Sequence, residues 1–196
     1  MTKFASKALL TAAAFIFFGA VQAQPQEVKG VKLESPAQVG TSSLPLNGAG
    51  VRTRAIFKVY VAGLYVPQKA FDPVKLLAQS GARRISLTML RNVDADTFFD
   101  ALNDGLKNNH TTEQFAVMAP QIAMLSANLK SLGEAKKGDV IYLDYLPETG
   151  TRVTVNGQVQ GTPIVGEDFY KAVLRIWIGD KPVDGSLKKG LLGLPS

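Results

Sequence analysis

The side chains in this sequence that could do chemistry are few. Asp96, Asp100 and Asp104 recur every four residues, so a helix would set their carboxylates in one row. Paired carboxylates can carry acid–base work. A row of acids beside the apolar stripe of Phe98, Leu102 and Leu106 is more commonly a solvated helix face, and that is the reading adopted for it. His110 is the only histidine. A Ser-His-Asp relay would have to use it, and no G-x-S-x-G elbow occurs in the chain. It stands in the polar run Lys107-Asn108-Asn109-His110-Thr111-Thr112, which reads as a loop between helices. Asn109-His110-Thr111 is formally a glycosylation acceptor, with meaning only in a eukaryotic secretory route.

The composition removes further classes of chemistry. There is no cysteine, so thiol catalysis, Cys-ligated zinc and iron–sulfur clusters are excluded, and no disulfide supports the fold. The sequence carries no metal motif, no nucleotide loop and no covalent nucleophile, so no cofactor is expected. The formal net charge of +6 is mild and scattered, with Lys136-Lys137 and Lys188-Lys189 the longest lysine runs. That is no nucleic-acid footprint.

The first 23 residues have the three parts of a secretory signal peptide. Lys3 and Lys7 give a positive start, and Ala8 to Val21 is apolar apart from Thr11 and Gly19. Val21-Gln22-Ala23 suits cleavage before Gln24. A bilayer span needs about 20 apolar residues, and this run is shorter. The expectation is a leader over 1–23 and a single exported domain over 24–196, with no stable membrane insertion and no nucleic-acid partner once the leader is gone. Periplasmic localisation follows from that expectation.

The elements that would position a site can be read along the chain. Residues 24–43 read as a polar lead-in with one edge strand, Val28 to Leu33. Val51 to Val66 alternates and is rich in β-branched and aromatic residues, which reads as one long strand. Arg83 to Met89 is a second. Asp94 can cap a helix running to about Lys107. Thr111 and Gln114 are spaced as a capping box, and Phe115, Met118, Ile122, Leu125, Leu129 and Leu132 follow at helical spacing, with Pro120 marking a kink or fresh start. Val140 to Tyr145, Arg152 to Val155 and Val159 to Ile164 read as antiparallel strands, the last two joined through Asn156-Gly157. Glu167 to Ile178 is a third helix, and a final helical turn falls around Leu187 to Leu191. Strands and helices are grouped rather than alternating, which makes the fold class α+β.

The order Gly48-Ala49-Gly50-Val51-Arg52, Phe57-Lys58-Val59-Tyr60-Val61-Ala62-Gly63-Leu64-Tyr65-Val66, Leu87-Thr88-Met89-Leu90-Arg91 and Ile176-Trp177-Ile178-Gly179 resembles the chalcone isomerase superfamily, and within it the bacterial, exported chalcone isomerase-like branch. The resemblance implies an open-faced β-sandwich, a large antiparallel sheet packed by a layer of helices. The superfamily holds plant isomerases that close a chalcone to a flavanone, plastid relatives that bind fatty acids, and members without a settled activity.

The resemblance also implies site residues. Arg52 follows Gly-Ala-Gly-Val, where the plant enzymes have the arginine that stabilises a phenolate and the fatty-acid binders have the arginine that meets a carboxylate. Tyr60 stands where the plant enzymes have a threonine. Eight residues of straight strand span about 26 Å, so Arg52 and Tyr60 converge only if the chain turns between them, and no Gly, Pro or Asn lies there. Arg54 and Tyr65 are the competing residues. Phe98 takes the place of the plant catalytic tyrosine and has no hydroxyl, and Asn103 falls near the plant asparagine. Three functions stay open at this point: a binder of a small amphipathic or aromatic acid, with Arg52 on the acid group; an isomerase or intramolecular lyase acting on a chalcone-like phenol, with Arg52 as its catalytic cation; and a non-catalytic periplasmic interaction protein.

Overall fold

The computed structural model describes residues 25–195. The expected leader over 1–23 lies outside the described residues. Two short hairpins come first: β1 (Gln26–Val28) pairs with β2 (Val31–Leu33), and β3 (Ala37–Val39) with β4 (Ser42–Leu44). They replace the polar lead-in with its single edge strand. Turns at Lys29-Gly30 and Gly40, all with positive φ, fold each three-residue strand back on itself.

Next come β5 (Leu46–Arg54) and β6 (Phe57–Tyr65). The long strand expected over Val51 to Val66 is therefore two strands, joined by the two-residue turn Ala55-Ile56. Ala55 supplies the turn by adopting φ +54°, a conformation that alanine takes at some cost. A short helix α1 (Pro73–Ala78) leads to β7 (Arg83–Met89), and β8 (Val93–Asp94) leads to α2 (Ala95–Asn108). Asp94 caps α2, accepting from the Thr97 amide at 3.0 Å. The helix expected after Thr111 is divided as Pro120 requires, into α3 (Thr112–Val117) and α4 (Ala119–Lys130). The Thr111/Gln114 capping box is formed, with bonds of 3.2 and 3.0 Å. β9 (Glu134–Ala135), β10 (Val140–Leu146), β11 (Gly150–Val155) and β12 (Gln158–Ile164) follow, then α5 (Glu167–Ile178) and α6 (Gly185–Leu191).

Six of these strands form one antiparallel sheet in the order β12-β11-β10-β7-β6-β5. One face carries Ala62, Leu64, Ile85, Leu87, Ile141, Leu143 and Val153, and α2, α4 and α5 bury it with Phe98, Leu102, Leu125, Leu129, Val173 and Trp177. Among the described residues, the other face is covered only in part. The early hairpins bury Leu33, Val39 and Leu44 against Val61 and Tyr65. Beyond them that face carries a charge ladder across three strands: Arg84 grips Asp144 with two bonds of 2.6 and 2.7 Å, and Arg152 reaches the same carboxylate at 3.3 Å. One packed face and one partly open face make this the α+β class read from the grouping of elements, in the open-faced arrangement that the resemblance implies.

The last helix, α6, lies directly on the edge strand β5. A Cβ at Gly190 would stand 2.5 Å from the Ala49 carbonyl oxygen, and one at Gly50 3.1 Å from Leu187, so the missing side chains are what allow backbone to rest on backbone. Asn47 donates to the Leu191 carbonyl at 2.7 Å, and the Thr53 amide donates to Asp184 at 3.0 Å. These bonds fix α6 at both ends of the same strand.

Candidate functional site

The site is built where β5, β6 and the N-terminal end of α6 meet α2. Arg52 and Tyr60 are register partners across the β5–β6 hairpin, so both project from one face of the sheet. The register slips between Arg52 and Thr53, which pair with Tyr60 and Lys58, leaving Val59 as the extra residue of a bulge. The bulge turns Val59 toward the same side as Tyr60.

Together with α2 and the 181–183 loop these residues line a cleft of about 500 Å³. Its floor is apolar: Val59, Tyr60, Phe98, Leu102 and Val183. Its mouth is polar: Arg52, Arg54, Asp100, Asp104 and Lys181. The volume falls within the range of ~300–1,000 Å³ usual for small-molecule sites.

Each polar group at the base of the mouth is held in place. The buried Tyr60 hydroxyl accepts a hydrogen bond of 2.9 Å from the Trp177 indole N–H. Burial raises its pKa to about 12, against weaker opposing effects of the Trp177 bond and the Arg52 charge. Tyr60 is therefore a neutral phenol at ordinary pH, and its own proton remains for donation. Arg52 donates to the Thr53 carbonyl oxygen and lies 3.7 Å from Asp184. Asp184 is engaged elsewhere: one oxygen accepts from the Leu187 amide and the other from the Thr53 amide, each at 3.0 Å. The guanidinium thus keeps most of its donors for the cleft.

The structure brings Arg52, Tyr60 and Phe98 into one site and adds Arg54 to its wall. It leaves two candidates outside. Asn103 is absent from the cleft lining, because two residues along a helix turn it about 200° from Ala101, which does line it. The Asn103 Oδ1 atom is buried without a hydrogen-bond partner. Tyr65 faces the opposite side of the sheet, in the cluster under the early hairpins, so it does not compete with Tyr60.

The acidic row divides. Asp96 forms an ion pair of 2.6 Å with Lys130. Asp100 and Asp104 are solvent-exposed, as a solvated face requires, but they also form one wall of the cleft. His110 sits in the interhelix loop with Nδ1 2.8 Å from the Leu106 carbonyl oxygen, outside the cleft. Three participants escape sequence reasoning: Asp184, Lys181 and Trp177. Asp184 has a local signal as a helix-capping aspartate, whereas the bond from Trp177 to Tyr60 spans two distant elements and has none. Among the described residues no group of three or more His, Cys, Asp or Glu could hold a metal ion.

A family model described as "Chalcone isomerase-like" matches residues 25–193. The chain belongs to the chalcone isomerase-like family. Among solved structures, this chalcone isomerase-like chain is similar to a fatty-acid binding protein of Arabidopsis thaliana, with a TM-score of 0.62 and 16% identity over 83% of this chain and 92% of the other. That likeness establishes a shared fold. No curated protein sequence matches the chain.

Proposed function

We propose that this protein binds a small amphipathic acid, foremost a fatty acid, in the cleft between β5–β6 and α2. Arg52 and the Tyr60 hydroxyl hold the carboxylate, and Val59, Phe98, Leu102 and Val183 take the adjoining apolar chain. The observation that carries this reading is the pairing of Arg52 with Tyr60 at the head of an apolar floor. Both present donors at ordinary pH, one charged and one neutral, and that set suits an anion better than a neutral or cationic group. The Arabidopsis thaliana neighbour is a fatty-acid binding protein, which supports the same class of ligand.

The isomerase reading has less support. Phe98 lines the cleft at the position where the resemblance calls for a tyrosine, so no hydroxyl there orients a substrate ketone. We further propose that the chain acts outside the cytoplasm, on the strength of the leader pattern in residues 1–23.

Mass spectrometry of lipid extracted from the purified protein tests the ligand assignment. Bound fatty acid is expected in the wild type. Arg52→Ala should weaken binding roughly 10- to 100-fold, the worth of a charged hydrogen bond. Unchanged lipid content in Arg52→Ala would refute the assigned site. Turnover of a chalcone above the uncatalysed rate would favour the isomerase reading.

A further inference from the structure

The tip of the β5–β6 hairpin joins exposed apolar side chains to unpaired cations. Ile56 is 85% exposed and Phe57 53% exposed at its apex. Arg54 and Lys58 flank them in sequence, and the exposed Arg91 stacks on the Phe57 ring with its guanidinium carbon 4.6 Å from the centroid. Among the described residues, Arg54, Lys58 and Arg91 make no ion pair, whereas every other arginine except Arg175 does.

We propose that this tip docks on the surface of a bilayer containing anionic lipid. Ile56 and Phe57 would enter the boundary between head groups and acyl chains, and Arg54, Lys58 and Arg91 would meet the lipid phosphates. Two apolar side chains at a convex apex, ringed by free cations, match the chemistry of interfacial anchors. A protein partner fits less well, because two protruding side chains cover far less than the ~1,000 Å² that a specific protein interface needs. Each cation held near an anionic surface adds about fivefold in partitioning, the equivalent of ~1 kcal/mol.

The position of the tip gives the docking a purpose. A groove of about 390 Å³ runs beside it, lined by Phe57, Arg91, Asn92 and Asp94. It shares Arg54, Val59, Val93 and Thr97 with the cleft. A lipid-derived acid leaving the bilayer at the tip would therefore reach Arg52 along a continuous surface. The docking itself does not depend on which ligand the cleft takes.

Co-sedimentation with vesicles tests the proposal, using the chain without residues 1–23, since the described residues contain the two buried clusters that pack the sheet. Binding is expected to vesicles of phosphatidylcholine mixed with phosphatidylglycerol, and not to phosphatidylcholine alone. Ile56→Asp should weaken it at least about tenfold, and the double variant Lys58→Gln, Arg91→Gln about 25-fold. Ile56→Ser is the milder companion should Ile56→Asp alter the fold, which its thermal midpoint reports. Failure to bind mixed vesicles, equal binding to both kinds, or unchanged binding in the Ile56 and cation variants would overturn the proposal. A fatty acid presented without vesicles should bind Ile56→Asp as it binds the wild type, so loss of docking and loss of the ligand site are told apart.

Discussion

Arg52 and Tyr60 stand directly opposite one another on adjacent antiparallel strands, brought together by a turn with no glycine, proline or asparagine in it. The cleft head depends on that pairing and on the Trp177 bond behind it.

Tyr60→Phe removes the acceptor for a fully buried indole N–H. An orphaned buried donor costs about 1–3 kcal/mol, and chemical denaturation should register a loss of that size. Ligand affinity should fall by roughly 10- to 100-fold, the worth of a hydrogen bond to a charged carboxylate. An unchanged denaturation midpoint would mean that Trp177 finds another partner.

The turn can be tested by substitution at Ala55. Its φ of +54° favours glycine, so Ala55→Gly should hold or raise stability, by up to about 1 kcal/mol. Ala55→Val places a β-branched residue in the same conformation and should lower stability by more than about 1 kcal/mol. A gain in stability for the valine variant would show that the turn has some other backbone geometry.

Asp100 and Asp104 put negative charge on the wall of a cleft proposed to hold an anion. Their neutralisation in the double variant Asp100→Asn, Asp104→Asn should tighten fatty-acid binding. Both are exposed and screened, so the gain should be roughly two- to fivefold at low salt and smaller at high salt. Weaker binding in that variant would indicate that the acids contact the ligand directly.

The buried phenols set an alkaline limit. Tyr60 and Tyr65 have pKa values raised to about 12 by burial, and Tyr170 is raised further. In the unfolded chain these phenols titrate near 10. Above that value the unfolded chain has released protons that the folded chain still holds, so stability falls as pH rises. The urea midpoint should stay level with respect to these groups from about pH 7 to 9, then decline between about 10 and 12. Tyr60→Phe should decline less steeply over that interval.

Much of the scaffold is legible in the sequence because its signals are local. The Thr111/Gln114 box, the break at Pro120, the Asn156-Gly157 turn and the capping Asp94 each act within a few residues. The β5–β6 hairpin is hidden for the opposite reason. Ala55-Ile56 has none of the residues that announce a turn, and the alternation of Val51 to Val66 runs through it unbroken. The small hairpins before Leu46 are hidden by length, since strands of three residues are too short for alternation to be recognised. At the site, the resemblance reaches Arg52, Tyr60 and Phe98. Asn103 stays out of the cleft lining, because on a helix a step of two residues from Ala101 points a side chain to the far side.

Trp177, the donor that fixes Tyr60, is also the only tryptophan in the chain. All the indole emission of this protein therefore arises from one ring whose N–H is bonded to the phenol at the head of the cleft. Any acid that draws on the Tyr60 proton changes the polarity felt by that ring. For the acid proposed to bind there, a titration followed at the tryptophan band would report occupancy without a label.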